Sequence, residues 1–323
     1  ELLHATAFRE TRDGPADGLR ADYFANDRLE GPALVTRLER CVDIGSAENP
    51  TFPKNSGSER WTGWFSAETA GMHDVIVASL GDGGDSYRVF IDDRLALDHW
   101  ERNACALEST PLELTAGPHR VRFEHRHRCK WEDRLQLAIV RQGTYVSARA
   151  RKLAARAVAV IVAVGFDRFS EGEAAERTFA LPPGQEELIL AMREANPNVI
   201  VVVHSGGAVE TVRWLPRVPV LLQAWYSGQE GGAALADILL GNVDPSGRLP
   251  STFPRRLSDS PSYASSLVDP QTRQIEYREG VFVGYRGFQQ HRIAPLFPFG
   301  FGLSYTTFVF SDLAIEPASD AAG

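Results

Sequence analysis

The residues best suited to chemistry are crowded between positions 165 and 177, which read Gly165-Phe166-Asp167-Arg168-Phe169-Ser170-Glu171-Gly172-Glu173-Ala174-Ala175-Glu176-Arg177. A carboxyl of this group, enclosed so that its proton affinity rises toward neutrality, could protonate a leaving oxygen and later take a proton from water. Spacing alone does not pick out an acid. Glu171, Glu173 and Glu176 lie two and three residues apart, and a solvated acidic loop has the same composition. Elsewhere in this half, His204 reads as a polar residue at a strand end rather than a proton carrier. Glu230 reads as a charge placed favourably at a helix N-terminus.

The neighbours show what must hold the acidic run. Val158-Ala159-Val160-Ile161-Val162-Ala163-Val164 is unbroken apolar sequence of strand length, as expected for a strand of a parallel sheet buried on both faces. The pattern recurs: residues 148–155 are helix-like, 184–196 predict a helix leading into a strand at 199–203, and 209–217 lead into a strand at 218–222. A last helix is predicted over 228–240, stopped by Gly241. Alternating helix and strand predicts an α/β class with helices covering both faces of the sheet. The acidic run then leaves the carboxyl end of a strand, where open α/β sheets bind their ligands.

Residues 17–145 have a different texture. Short alternating segments such as 72–79, 87–91 and 120–125 are divided by turn clusters, among them Gly81-Asp82-Gly83-Gly84-Asp85 and Ala116-Gly117-Pro118. This predicts an all-β sandwich without a long helix. Asp92-Asp93 suits a hairpin turn more simply than a calcium site. His99, Trp100 and Trp131 are loop candidates for which burial in the sandwich is the simpler expectation. Residues 256–275, rich in Ser, Pro and Asp, read as a surface loop. Phe297-Pro298-Phe299-Gly300-Phe301-Gly302 cannot be helical, and 306–313 read as one strand without a partner.

A chain of 323 residues suggests two or three domains. Lys and Arg number 34 against 42 Asp and Glu, a net charge of −8, and the basic residues are dispersed, which argues against a nucleic-acid partner. No stretch approaches the roughly 18 apolar residues of a membrane span. Cys41, Cys105 and Cys129 lack zinc-site spacing, so no metal is expected, and one disulfide with one thiol is an open arrangement. No organic cofactor is expected either. The first residue is Glu1 rather than Met, and the chain is expected to be a piece of something longer.

Six runs, in order and with matching spacing, resemble glycoside hydrolase family 3 of the β-glucosidase type. Residues 173–189 are similar to the family pattern E-G-x-D-R followed by L-P-G-x-Q-x-E-L-I, with Ala174 in place of Gly and Glu176 in place of Asp. His204-Ser205-Gly206-Gly207-Ala208-Val209-Glu210 resembles N-x-S-G-x-P-V-E, and Ala224-Trp225-Tyr226-Ser227-Gly228-Gln229-Glu230-Gly231-Gly232 resembles A-W-Y-x-G-x-E-x-G. Residues 242–250, 279–286 and 297–308 complete the set, the last close to F-P-F-G-x-G-L-S-Y-T-x-F.

The resemblance implies a retaining glycosidase, in which an Asp on a (β/α)₈ barrel attacks the sugar and a Glu of the α/β sandwich domain protonates the leaving oxygen. By the motif, that acid/base is Glu173, four residues before Arg177, with Glu171 as the alternative. Arg177, Trp225 and Tyr226 become substrate-binding candidates, the two aromatics suiting a sugar face or a core equally. The implied substrate is an oligosaccharide or an aryl or alkyl β-glycoside. The barrel is not found in this chain, so the chain is expected to need it as a partner.

Ala21-Asp22-Tyr23-Phe24, Trp61-Thr62-Gly63-Trp64, residues 83–94 and 117–121 follow the order of the protective-antigen-type β-sandwich that many family 3 enzymes carry as an insert. In such relatives the insert can shape the outer sugar subsite. The expected organisation is a lead at 1–16, the protective-antigen-type sandwich at 17–145, and the second half of the family 3 α/β sandwich at 146–255. A wrapping linker at 256–302 and the first strand of a fibronectin type III-like domain at 303–323 follow. The competing expectation is a carbohydrate-binding module without turnover.

Overall fold

The computed structural model describes residues 6–44, 53, 56–80, 86–101, 106–126, 134–167, 170–172, 177–266 and 272–315. Of the residues singled out above, Glu173, Ala174, Glu176, Cys105, Cys129, Trp131 and the turn 81–85 lie outside these. The chain folds as two compact units, Glu1–Trp225 and Tyr226–Gly323.

Among the described residues up to 144, the first unit has eleven strands and no helix. They are β1 (Phe8–Arg9), β2 (Leu19–Phe24), β3 (Val35–Glu39), β4 (Asp43–Ile44), β5 (Ser58–Ala67), β6 (Gly71–Leu80), β7 (Ser86–Ile91), β8 (Arg94–Asp98), β9 (Ala106–Leu114), β10 (Gly117–Arg126) and β11 (Arg134–Arg141). A sheet ordered β3-β2-β5-β10-β7-β8, with β1 also on β5, faces a sheet ordered β4-β11-β6-β9. The pairings are antiparallel throughout. Period-two alternation sends Trp61, Tyr87, Val89, Val121, Phe123, Leu135 and Leu137 into one core between the sheets.

Two polar groups are built into that core. Trp61 donates its indole N–H to Glu39 Oε2 at 2.8 Å, and the Tyr23 hydroxyl donates to Glu39 Oε1. Burial, followed by the Glu39 charge, pushes the Tyr23 hydroxyl far above its ordinary pKa, so it stays a donor. Glu59 and His125 pair at 2.7 Å with neither side chain exposed.

Asp92 and Asp93 form the two-residue turn between β7 and β8, with φ of 50° and 60°. Positive φ at both central positions marks a type I′ hairpin, and Asp is among the residues that tolerate it. Asp92 also accepts from the Arg120 backbone N–H at 2.9 Å and faces His119 Nδ1 at 2.7 Å. The turn reading of this pair therefore holds.

Next come α1 (Ala148–Arg156), β12 (Val160–Gly165), α2 (Gln185–Ala195), β13 (Val199–His204) and β14 (Val220–Gln223). Ser147 caps α1 by accepting from Ala150 N–H at 3.1 Å. Helix α2 carries Glu186 and Glu187 in its first turn and Arg193 in its last, matching its dipole. The strands are parallel in the order β12-β13-β14. Val162, Val164, Val201 and Val203 pack on Ala154 of α1 and on Ile189 and Met192 of α2.

Three expectations are corrected here. Strand β12 starts at Val160, leaving Val158 90% exposed beyond the α1 cap. The α1–α2 pair covers one face of the sheet, whereas Ile161 and Val220, on the other face, are 55% and 41% exposed. Between β13 and β14 there is no α-helix: the segment holds only a short 3₁₀ turn, Leu215–Arg217, where Pro216 cannot extend a helix.

The second unit contains α3 (Gly231–Leu240), ended at Gly241 as expected, and α4 (Gly284–Gln290). Glu230 is the residue before α3, where its charge complements the helix dipole. Phe253 and Phe297 form a lone antiparallel bridge. Residues 306–313 form no strand among the described residues, because no neighbour supplies a ladder for their backbone groups. No helix among the described residues is long and apolar enough to cross a membrane.

Candidate active site

The acidic run leaves β12 at Gly165, which stands opposite His204, the last residue of β13. This register puts the two following loops side by side at the carboxyl end of the sheet. Gly165 is pinned from α2 as well. Its N–H donates to Gln185 Oε1 at 2.7 Å, and Gln185 Nε2 donates to its carbonyl at 2.9 Å.

Beyond Phe166 the chain turns at once. Asp167 N–H donates to Ser170 Oγ at 2.9 Å, the Ser170 hydroxyl donates to Asp167 Oδ1 at 2.9 Å, and Glu171 N–H donates to the Asp167 carbonyl at 2.8 Å. This is a local side-chain-to-backbone turn of the kind Asp and Ser favour. It brings Glu171 back toward β13. There Glu171 Oε2 accepts from Gly206 N–H at 3.3 Å and Oε1 faces Arg177 Nε at 3.3 Å.

Arg177 is the centre of the described contacts. Its guanidinium lies 4.9 Å over the Phe166 ring, and it donates to the Ala208 carbonyl at 2.9 Å and the Thr178 carbonyl at 3.3 Å. A Cβ built on Gly207 would come within 2.8 Å of Arg177 Nη2, so glycine there leaves room for the guanidinium. A cavity of about 370 Å³ opens beside this cluster, lined by Val164, Phe166, Asp167, Gln185 and His204 and by Leu107 of β9. His204 Nδ1 lies 3.3 Å from the Trp225 carbonyl, and Trp225 itself has φ of 55°.

The site candidates therefore divide. Glu171 and Arg177 come together, with His204 on the adjacent strand end. Trp225 is half-buried at the end of the first unit, and Tyr226 is 54% exposed at the start of the second. Glu173 lies outside the described residues. His99 is buried in the sandwich as expected, 2% exposed and stacked on Tyr87, the ring centroids 4.7 Å apart. Trp100 sits between the guanidinium groups of Arg88 and Arg126, at 4.1 and 4.4 Å. Among the described residues no three His, Cys, Asp or Glu side chains converge as a metal site would require.

Phe166, Gln185, Gly206 and Ala208 serve the site without having been singled out. Gln185 carried a signal, being the Gln of the L-P-x-x-Q run. The others act through a backbone group or a ring face, which residue type does not announce.

Residues 44–305 match the glycosyl hydrolase family 3 C-terminal domain. The chain is 34% identical over 282 residues to a probable β-glucosidase I of Emericella nidulans, covering 80% of this chain and 33% of that protein. Among solved structures it resembles DesR, a β-glucosidase from Streptomyces venezuelae in complex with D-glucose, with TM-score 0.55 and 32% identity over 78% of this chain and 32% of that one. It also resembles a β-glucosidase from Kluyveromyces marxianus, with TM-score 0.52 and 27% identity over 98% of this chain and 40% of that one. The chain thus spans about a third of the length of the curated relatives it matches. Through its C-terminal domain, the chain belongs to glycoside hydrolase family 3.

Proposed function

We propose that this chain supplies the general acid/base to a retaining β-glycosidase of the β-glucosidase type, acting on terminal non-reducing β-linked sugars. The observation that carries the reading is the acidic run at the carboxyl end of β12, turned back on β13 and held at both described ends, in a chain of this family. Glu173 is the proposed acid/base and Glu171 the alternative. A carboxylate on a (β/α)₈ barrel, in the same polypeptide or complex, attacks the anomeric carbon while the acid/base protonates the departing oxygen. The same residue then takes a proton from the water that releases the sugar. Retention requires the two carboxyl groups about 5–5.5 Å apart.

In this reading, residues 17–145 are a protective-antigen-type sandwich that precedes the second half of the α/β sandwich at 146–255. The linker at 256–302 and a fibronectin type III-like start at 303–323 complete it. The antiparallel two-sheet architecture and the parallel β12-β13-β14 sheet support this division. Substrates would be oligosaccharides or aryl and alkyl β-glycosides.

Hydrolysis of nitrophenyl β-glucoside tests the proposal. The complete enzyme should release nitrophenol and the chain without the barrel should not. Glu173→Gln should cut turnover by about 100-fold or more, in the range of a lost general acid/base, with azide restoring it on an activated aryl substrate. Full activity in Glu173→Gln would refute the assignment.

A further inference from the structure

We propose that Glu171 and Arg177 form a clamp that positions the acid/base segment, Glu171 being a positioning residue rather than the proton donor. The inference rests on the glycosidase reading above and deepens it.

The two residues bracket positions 172–176 and are joined to each other by the 3.3 Å ion pair. Each is also tied to the turn that follows β13, Glu171 through Gly206 N–H and Arg177 through the Ala208 carbonyl. Phe166, the first residue beyond β12, carries the guanidinium on its ring. One cation thus joins Glu171 to Arg177 and fastens the pair to both strand ends.

This geometry separates Glu171 from the role of acid. A proton donor must aim its carboxyl at the glycosidic oxygen. Both Glu171 oxygens face protein donors instead, Arg177 Nε and Gly206 N–H. The pair is also sheltered, at 22% exposure for Glu171 and 19% for Arg177, so solvent screens it less than a surface pair. A group held within a fraction of an ångström matters to catalysis, since a displacement of about 1 Å can cost roughly 100-fold in rate.

The test compares Glu171→Gln, Arg177→Ala and Gly207→Ala in the complete enzyme. The last intrudes on Arg177 Nη2 while leaving every charge in place. Each should lower kcat by about 10- to 100-fold with KM little changed. Both limbs of the pH profile should be kept and azide should give no rescue. The double variant Glu171→Gln/Arg177→Ala should fall no further than Arg177→Ala alone. Azide rescue of Glu171→Gln with loss of the alkaline limb would make Glu171 the acid/base and overturn the clamp.

Hydrogen exchange supplies a readout that does not need turnover. Peptides covering 166–178 and 205–209 should exchange faster in Arg177→Ala and Gly207→Ala than in the wild type. Unchanged exchange sinks the clamp whatever the kinetics show. Faster exchange in an enzyme that turns over no β-glycoside would instead sink the glycosidase reading and leave the clamp standing.

Discussion

Gly165→Ala should unfasten the site from the sheet. Gly165 has φ of +147°, and a Cβ built there would lie 1.9 Å from the His204 carbonyl oxygen and 2.7 Å from its carbon. These are backbone atoms of the paired strand, so no rotamer change relieves the overlap. Ordinary contact at 3.4 Å requires the strands to part by about 1.5 Å at this point. That movement breaks the 2.9 Å bond from Phe166 N–H to the His204 carbonyl and pulls Gly165 off one of its two Gln185 bonds. Backbone strain of about 1–3 kcal/mol, with two hydrogen bonds lost at about 1 kcal/mol each, gives about 3–5 kcal/mol. In a unit of this size each kcal/mol lowers Tm by roughly 2–4 °C, so a fall of roughly 6–20 °C is expected. Gly143→Ala is the control: its φ is +82°, but a Cβ there meets nothing within 4 Å, leaving only the left-handed penalty of about 1–2 kcal/mol. Thermal unfolding followed by circular dichroism reads both. A Gly165→Ala protein melting within about 2 °C of wild type, or no lower than Gly143→Ala, would refute the steric argument.

The β7–β8 turn should respond oppositely at its two positions. Asp93→Gly removes a left-handed Asp at the cost of a largely exposed pair with Arg120, and should raise stability by about 0.5 kcal/mol in urea unfolding. Asp92→Gly loses the acceptor for Arg120 N–H and the partner of His119, and should lower it by about 1–2 kcal/mol. On β10 of the same sheet, burial raises the Glu124 pKa, but Arg122 and Arg60 outweigh it and hold the carboxyl below its ordinary 4.5. A depressed carboxyl contributes stability above its unfolded value and loses it as pH falls through the folded one. The stability difference between wild type and Glu124→Gln should therefore be largest above pH 4.5 and shrink below it, as measured by denaturant unfolding across that range.

What could be read in advance follows from how local each cause is. Strand β13 announces itself as an apolar run because its consecutive side chains Val201, Val202 and Val203 are buried, and β12 carries the same kind of run although Ile161 is 55% exposed. The Asp92-Asp93 hairpin is legible because the turn needs only its own two residues to accept positive φ. Residues 209–217 mislead because Val209 and Trp214 are buried, at 3% and 0% exposure, without belonging to a helix. Their apolar character records contact with the core around Ile189 and Val201 rather than a helical period. Residues 306–313 carry strand propensity without forming a strand among the described residues, since a strand exists only with a neighbour to pair. The clamp lay furthest from view. Its parts, at 166, 171, 177 and 206–208, meet because Gly165 stands opposite His204, a register set by packing of β12 on β13. A shift of that register by one residue would turn the side chains of the strand ends to the opposite face of the sheet. The turn at 167–171 would then start from a different height and direction, and Glu171 would no longer reach Gly206. The acidic loop owes its position to the strand pair beneath it, which is why Gly165, with no side chain at all, is as much a part of the site as either glutamate.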